Sequence, residues 1–210
     1  MQTHFDLFRV SVAAGAAIGL AGFAYLAVGG VPGAVLFTFG LLSIVGYRLK
    51  LYTSRAGFIH RNEGGQLAAI FLYNAIGCLL VALLTRASSM PINEAAQHII
   101  EKRLANGILN SGLLSIACGV IMTVAVTFGY RNNFLPLLFG VPLFILCGFP
   151  HCMADTFYIL TCPTDFLLCN IDSLLLYLPA ITVGNFIGCN LPRLFPKPFD
   201  PMAPAAPKAS

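Results

Sequence analysis

The chain consists of long apolar runs separated by short polar segments. A transmembrane helix needs about 20 mainly apolar residues. Six stretches approach this length, at 8–29, 31–49, 67–84, 104–128, 135–149 with a continuation toward 160, and 174–191. The first stretch is too long for the apolar part of a cleaved signal peptide, so we expect the protein to keep it. The pattern predicts an all-α integral membrane protein with six transmembrane helices.

Composition supports the same class. Of the 210 residues, 58% are hydrophobic and 10% are charged, whereas a soluble domain carries about 25% charged residues. This balance excludes a soluble enzyme, a nucleic-acid-binding protein and a disordered chain. The seven cysteines show no CxxC spacing, so we expect neither a metal site nor another cofactor. The expected surroundings are a lipid bilayer.

The basic residues predict the orientation of the spans. If the N-terminus lies inside, nine of the twelve Lys and Arg residues fall at cytoplasmic ends, and Arg86, Lys102 and Arg103 fall outside. The positive-inside rule then places both termini in the cytoplasm. Residues 192–210 contain six prolines, and we expect a disordered cytoplasmic tail there.

An internal repeat divides the 1–191 pore domain. The segments 74–78 and 185–189 both have the pattern N-x-I-G-C, at an offset of 111 residues. A second match pairs Val45-Gly46-Tyr47 with Cys147-Gly148-Phe149, at an offset of 102. Three spans per half is an odd number, so the halves, about 7–86 and 103–191, must be inverted in the membrane. Inverted repeats are typical of transporters.

The second and fifth apolar stretches end in polar segments. Residues 46–55 include three cations and several hydroxyl groups, and residues 147–155 include Pro150, which must break or kink a helix. Irregular backbone at membrane depth is tolerated only against protein or a water-filled cavity. We therefore expect broken second and fifth helices beside a pore.

At these positions, between residues 8 and about 191, the sequence resembles the formate–nitrite transporter family. The motifs are glycine-rich first and fourth spans, Phe37-x-x-x-Leu41, Leu51-Tyr52-Thr53-Ser54, Gly65-Gln66-Leu67, Gly107-Ile108-Leu109-Asn110, Gly148-Phe149-x-His151-x-x-Ala154 and Pro179-x-x-x-x-Gly184-Asn185-x-x-Gly188. The resemblance implies an aquaporin-like fold and a homopentamer in a bacterial-type cytoplasmic (inner) membrane. It also implies one pore per protomer and no enzymatic activity. The implied cargo is small monovalent anions or their weak acids, of the formate, nitrite, hydrosulfide or lactate type.

The resemblance also assigns site residues. The central histidine corresponds to His151, and the threonine of the first broken helix corresponds to Thr53. The implied apolar constrictions are Phe37 with Leu41 on one side, and Leu51 with Phe144 on the other.

Three positions depart from the family pattern. Lys50 replaces an acidic residue, Pro150 replaces glutamate, and Asp155 replaces asparagine. Because Lys50 and Asp155 have opposite charges and change together, we expect them to form an ion pair. The alternative partner of Asp155 is His151, four residues away on a helix. The outer-vestibule lysine of the family has no clear counterpart, and Lys102 and Arg103 are the two candidates to serve in its place.

Some of these residues also have structural interpretations. Thr53 and Ser54 are residue types that cap helix N-termini, and capping is compatible with lining a pore. Asn74 and Asn185 are expected to hold loops or helix ends by hydrogen bonds.

Three functions are compatible with the sequence. The first is transport of small anions, either through a channel or by a carrier coupled to protons through His151. The second is an aquaporin-like pore for neutral solutes such as water, ammonia or urea. The third is an intramembrane enzyme using His151, Cys152 and Asp155, which no second catalytic cluster supports.

Overall fold

The computed structural model describes residues 4–60 and 62–194, and this part of the chain is helical. Its α-helices are α1 (His4–Val28), α2 (Gly30–Gly46), α3 (Tyr52–Ala56), α4 (Gly64–Thr85), α5 (Ile92–Ala105), α6 (Ile108–Tyr130), α7 (Leu135–Leu146), α8 (Cys152–Thr161), α9 (Thr164–Cys169) and α10 (Ile171–Asn190). A 3-10 turn, Leu191–Leu194, follows α10.

Four helical segments are long and apolar enough to cross a membrane: α1, α4, α6, and α10 with its 3-10 turn. Helices α2 and α7 are apolar but shorter. Each of these two is followed by a five-residue linker and then by a short helix, α3 or α8. Each of the six predicted apolar stretches therefore overlaps one of these six helices. The interruptions fall in the second and fifth stretches.

Glycines bring two pairs of helices together. A Cβ atom on Gly15 of α1 would overlap the carbonyl oxygen of Asn74 in α4. In the same way, a Cβ atom on Gly119 of α6 would overlap the carbonyl oxygen of Asn185 in α10. Gly19 lies farther along α1 and faces Val81, farther along α4. Helices α1 and α4 are therefore parallel, and small residues permit their backbones to approach closely.

The two helix breaks have the same backbone conformation and hydrogen bonds. At the first, the Leu49 N–H donates to the Ile44 carbonyl at 2.8 Å, and at the second the Phe149 N–H donates to the Phe144 carbonyl at 2.9 Å. The residue before each donor has a left-handed conformation, with φ of 53° at Arg48 and 69° at Gly148. Equivalent residues are thus 100 positions apart. The offset of 102 predicted from the Val45-Gly46-Tyr47 motif was wrong, because a backbone equivalence does not require Gly at both positions.

One asparagine holds each break, as expected from the sequence. The Asn74 side chain accepts from the Tyr52 N–H and donates to the carbonyls of Ser11 and Lys50. The Asn185 side chain repeats this arrangement, with the Cys152 N–H and the carbonyls of Ser115 and Pro150. Backbone groups freed by the break are thereby paired inside the protein. The offset of 111 between the two asparagines is confirmed by these matching bonds.

The two halves of the chain exchange their short helices. Helix α3 packs against α6 and α10, and α8 packs against α1 and α4. The thiol of Cys189 contacts the Thr53 carbonyl at 3.5 Å, and that of Cys78 contacts the Met153 carbonyl at 3.6 Å. This exchange brings the first turns of α3 and α8 together.

The end of the described chain differs in part from the predicted disordered tail at 192–210. Residues 192–194 belong to the 3-10 turn, and Arg193 Nη2 donates to the Ile59 carbonyl at 2.8 Å. This bond ties the turn to the segment after α3. The rest of the predicted tail, 195–210, lies outside the described residues.

Candidate functional site

Thr53 and His151 meet where α3 and α8 begin. Thr53 Oγ1 lies 2.9 Å from His151 Nε2, and both side chains are buried. His151 is the N-cap of α8, and its Nδ1 accepts a hydrogen bond from the Ala154 N–H at 3.1 Å. Because Nδ1 is an acceptor, the neutral ring carries its proton on Nε2 and donates it to Thr53. The side chains are thus the polar centre of a buried, largely apolar region.

Aromatic rings pack beside this centre. Phe144 stacks on the His151 ring, with centroids 5.5 Å apart, and Phe37 meets Phe144 edge to face at 6.1 Å. We expected Phe37 and Phe144 on opposite sides of the histidine, and this grouping was wrong, because α2 and α7 pack against each other. Leu41 and Leu51 are fully buried.

Thr53 and Ser54 do not cap α3. The cap position is Leu51, whose side chain makes no capping bond, and the freed Tyr52 N–H is taken by Asn74 instead. The Ser54 hydroxyl donates back to the Leu51 carbonyl at 2.9 Å. The Thr53 hydroxyl is therefore directed at His151 rather than at its own helix terminus.

Asp155 has a different partner from those predicted. Its Oδ2 lies 3.5 Å from Arg103 Nε and accepts a hydrogen bond from the Tyr177 hydroxyl. Arg103 also donates through Nη1 to the Gly148 carbonyl. The expected pair with Lys50 was wrong, because α5 places Arg103 at the second break. The alternative pair with His151 was wrong too, since Thr53 and Ala154 occupy both ring nitrogens.

Cavities with basic residues adjoin both breaks. At the first break, a cavity of about 460 Å³ is lined by Arg48, Lys50 and Arg55. At the second, a cavity of about 30 Å³ is lined by Arg103, Asp155 and His151, with Phe144 at its wall. Lys50 and Asp155 thus face different cavities. Of the two candidates for the outer cation, Arg103 lines the small cavity and Lys102 is exposed.

Two features of this site were missed in the sequence. Tyr177 was not selected, although a hydroxyl group buried in a span needs a hydrogen-bond partner. Helix α5 was not predicted, although its buried Ile92, Ala96 and Ile100 have helical spacing. Residues 4–60 and 62–194 contain no cluster of three His, Cys, Asp or Glu side chains suited to a metal ion.

Apolar helices of membrane-crossing length around a buried threonine–histidine contact are the features of an integral membrane protein with a polar site inside its helices. The particular family follows from comparison with known proteins. Residues 2–193 match the family described as Formate/nitrite transporter, and the chain belongs to this family. It is a family of transporters and channels, and the chain is a multi-pass membrane protein.

Individual relatives are more distant. The formate channel FocA of Haemophilus influenzae (strain ATCC 51907 / DSM 11121 / KW20 / Rd) is 26% identical over 190 residues. That match covers 74% of this chain and 66% of the relative, just under two thirds of its length.

Solved structures show the same fold. One described as a pentameric formate channel with formate bound has a TM-score of 0.74 at 20% identity, covering 89% of this chain and 93% of its own. An FNT family ion channel has a TM-score of 0.69 at 20% identity, covering 89% of this chain and 86% of its own.

Proposed function

We propose that each protomer of a homopentamer forms a pore for small monovalent anions or their weak acids. Family membership supports transport, and relatives described as formate channels support an acid of the formate or nitrite type. One of the similar solved structures is a pentamer, which supports the same assembly here. The proposed location is a bacterial-type cytoplasmic membrane, with both termini in the cytoplasm.

The proposed architecture has six membrane crossings in two inverted repeats, about 7–86 and 103–191. Helices α2 and α3 together form one broken crossing, and α7 and α8 form the other. The matching hydrogen bonds of Asn74 and Asn185 support this assignment, since each holds a break at the same backbone positions. Two broken helices whose inner ends meet are the arrangement of an aquaporin-like pore.

The contact between Thr53 and His151 is the observation that carries the proposal. A bare anion is costly to bury in an apolar constriction, and the proposed constriction consists of Phe37, Phe144, Leu41 and Leu51, all of which are buried. The His151 Nε2–H and the Thr53 hydroxyl can instead turn to a solute as it passes, replacing water as hydrogen-bond donors. The constriction excludes larger solutes, and the two side chains stabilise the small ones.

Charge at the first break favours anions as they enter. Arg48, Lys50 and Arg55 line the cavity there, and clustered positive charge raises the local concentration of anions. At the second break, Arg103 is paired with Asp155. His151 is the N-cap of α8, so the positive end of the α8 dipole is also directed at the centre. An anion therefore approaches the constriction against little repulsion.

A neutral-solute pore is the second candidate. The observation that favours it is the hydrogen bond from the Ala154 N–H to His151 Nδ1, which holds the central ring uncharged. An uncharged polar centre between apolar rings also accommodates water, ammonia or urea. In this case, the basic cavities would have no role in selection.

Flux into proteoliposomes separates the two candidates. We expect formate and nitrite to enter and urea to be excluded, and we expect His151→Asn and Thr53→Val to slow acid entry. His98→Asn is the matched control, because His98 is exposed on α5. Uptake of urea without formate would support the second candidate and contradict the first. Equal flux in His151→Asn and the wild type would remove the assigned role of the histidine.

A further inference from the structure

The cavity at the first break is much larger than the solutes proposed to pass through the pore. Its volume of about 460 Å³ lies in the range of about 300–1,000 Å³ that is typical of sites for small organic ligands. An ion of the size of formate would fill only a small part of this space. The cavity therefore has room for a ligand that binds at the break without passing through it.

Three basic side chains line this cavity. Arg48 and Lys50 belong to the linker, and Arg55 belongs to α3. Arg48 is exposed and the other two are half-buried, so a ligand in the cavity can reach them. Within residues 4–60 and 62–194, the guanidinium groups of Arg48 and Arg55 make no hydrogen bond and no salt bridge. The planar fork of N–H donors in a guanidinium group matches the oxygens of a phosphate group.

The charge around the cavity favours a dianion. Among the residues that the structure describes, the cavity wall has no acidic side chain. Glu63, the residue before α4, interacts electrostatically with Lys50 and Arg55, and its carboxylate accepts the His60 N–H at 2.9 Å. Three cations less this one carboxylate leave two positive charges. A phosphomonoester carries a charge of about −1.5 to −2 at neutral pH, which balances them, whereas a monoanion does not.

The rest of the wall matches an organic group. It contains the aliphatic side chains of Val45 and Leu49 and the aromatic rings of Tyr130 and Phe134. Phe134 is 38% exposed, and an organic group bound here would cover part of its ring. Asn132 adds one polar side chain. Apolar and aromatic walls with a few polar groups are typical of sites for organic ligands, so a phosphate ester fits this wall better than inorganic phosphate.

We propose that this cavity binds a phosphomonoester, which thereby slows the entry of transported anions. The guanidinium groups of Arg48 and Arg55 donate to the phosphate oxygens, and Lys50 supplies the third positive charge. No covalent bond is made or broken. The ligand stays at the break, so its binding goes beyond the proposed function. Only its effect on flux rests on that function.

The first test measures binding by isothermal titration calorimetry with the full-length protein in detergent at neutral pH. The probe is phenyl phosphate. Benzenesulfonate is the matched ligand, because it has the same ring and a similar group of oxygens but a single negative charge. We expect phenyl phosphate to bind about 10-fold more tightly, since hydrogen bonds between charged groups are the stronger ones. Equal affinities would overturn the proposal.

Two variants and a control locate the site. We expect Arg48→Gln and Arg55→Gln each to weaken the binding of phenyl phosphate about 10-fold, because each removes one guanidinium group from the cavity. Arg48 is exposed on the linker, so its variant serves if Arg55→Gln does not fold. Arg86→Gln is the control, since Arg86 is exposed at the end of α4 and lines a different cavity. Wild-type affinity in both variants of the cavity would place the ligand elsewhere and overturn the proposal.

A second comparison identifies the source of the phosphate group, which is either a soluble ester or a lipid headgroup. Phenyl phosphate is titrated into the protein in nanodiscs of phosphatidylcholine, with and without phosphatidic acid, whose headgroup is also a phosphomonoester. Loss of binding in the presence of phosphatidic acid would assign the cavity to the lipid headgroup. Unchanged binding would assign it to soluble organic phosphates.

Formate flux in proteoliposomes is measured separately, with phenyl phosphate on both sides of the membrane. We expect the ligand to slow formate entry in the wild type and to have a weaker effect in Arg48→Gln, because the bound dianion cancels the charge that attracts formate. Flux that saturating phenyl phosphate leaves unchanged would overturn the proposed slowing. Failure of the proposed function is a different result, since formate would then not enter even without the ligand.

Discussion

The two helix breaks have the same backbone conformation but carry different side chains. Both linkers contain five residues, 47–51 and 147–151, and both are held by one asparagine with the same three bonds. The first linker carries Arg48 and Lys50 and ends at Leu51. The second carries Gly148 and ends at His151, the residue equivalent to Leu51.

This difference separates what the fold needs from what the site needs. The asparagine and the close glycine contacts occur in both halves, because each half must pair the same freed backbone groups inside the protein. The histidine and the Arg103–Asp155 pair belong to one half. A buried polar side chain that the repeated backbone does not require points to a role in transport.

The largest effect should follow from adding a methyl group at the glycines where two helices touch. We expect Gly15→Ala and Gly119→Ala each to cost about 3 kcal/mol or more, because the added methyl group overlaps a backbone carbonyl that cannot move independently. Thermal unfolding and size-exclusion chromatography of the solubilised protein measure this. Gly112→Ala is the control, since its Cβ would lie 3.5 Å from the Ala180 oxygen, an ordinary contact. Tolerance of one of the first two variants alone would break the equivalence of the halves.

The second-largest effect should follow from replacing the two asparagines that hold the breaks. Asn74→Ala and Asn185→Ala each leave a buried backbone N–H and two carbonyls without this partner, and we expect each to lower the free energy of unfolding by about 2–3 kcal/mol. Denaturation in detergent gives the two values. Asn110→Ala on the exposed start of α6 should have little effect. Costs that differ strongly between the halves would mean that only one break depends on its asparagine.

The third prediction tests the chemical difference. His151→Leu gives the second break the residue found at the first, and we expect formate flux in proteoliposomes to fall about 10-fold because the central donor is lost. Adding Leu51→His should not restore flux, since the Thr53 hydroxyl is directed at position 151. Recovery in the double variant would show that the two positions are interchangeable.

The smallest effect concerns the left-handed residues. Gly148→Ala should cost about 1 kcal/mol and Arg48→Gly should gain about the same, because only glycine adopts positive φ without strain. Melting temperatures of the solubilised protein record both. Arg48→Ala separates the loss of charge from the relief of strain. Destabilisation by Arg48→Gly, in the absence of such an effect in Arg48→Ala, would contradict the strain argument.

Much of the candidate site was predictable because it lies in short motifs. Thr53 and His151 were selected from the sequence, and the structure places them in contact. The partner of Asp155 was not predictable, because Arg103 lies on an amphipathic helix that contributes no apolar span. Opposite charge and a joint departure from the family pattern favoured Lys50, and neither determines which cation a neighbouring helix brings within reach.

The pattern of apolar and polar residues is enough to predict the class of protein and the places where its helices are interrupted. Long apolar runs have no stable alternative to helices in a bilayer, and proline and polar residues mark where such helices must break. The pairing of the two breaks, by contrast, follows from how the helices pack in three dimensions. The register of 100 residues, the meeting of Phe37 with Phe144, and the pairing of Asp155 with Arg103 all depend on which helices pack together. These contacts join residues far apart in the chain, so local pattern carries little information about them.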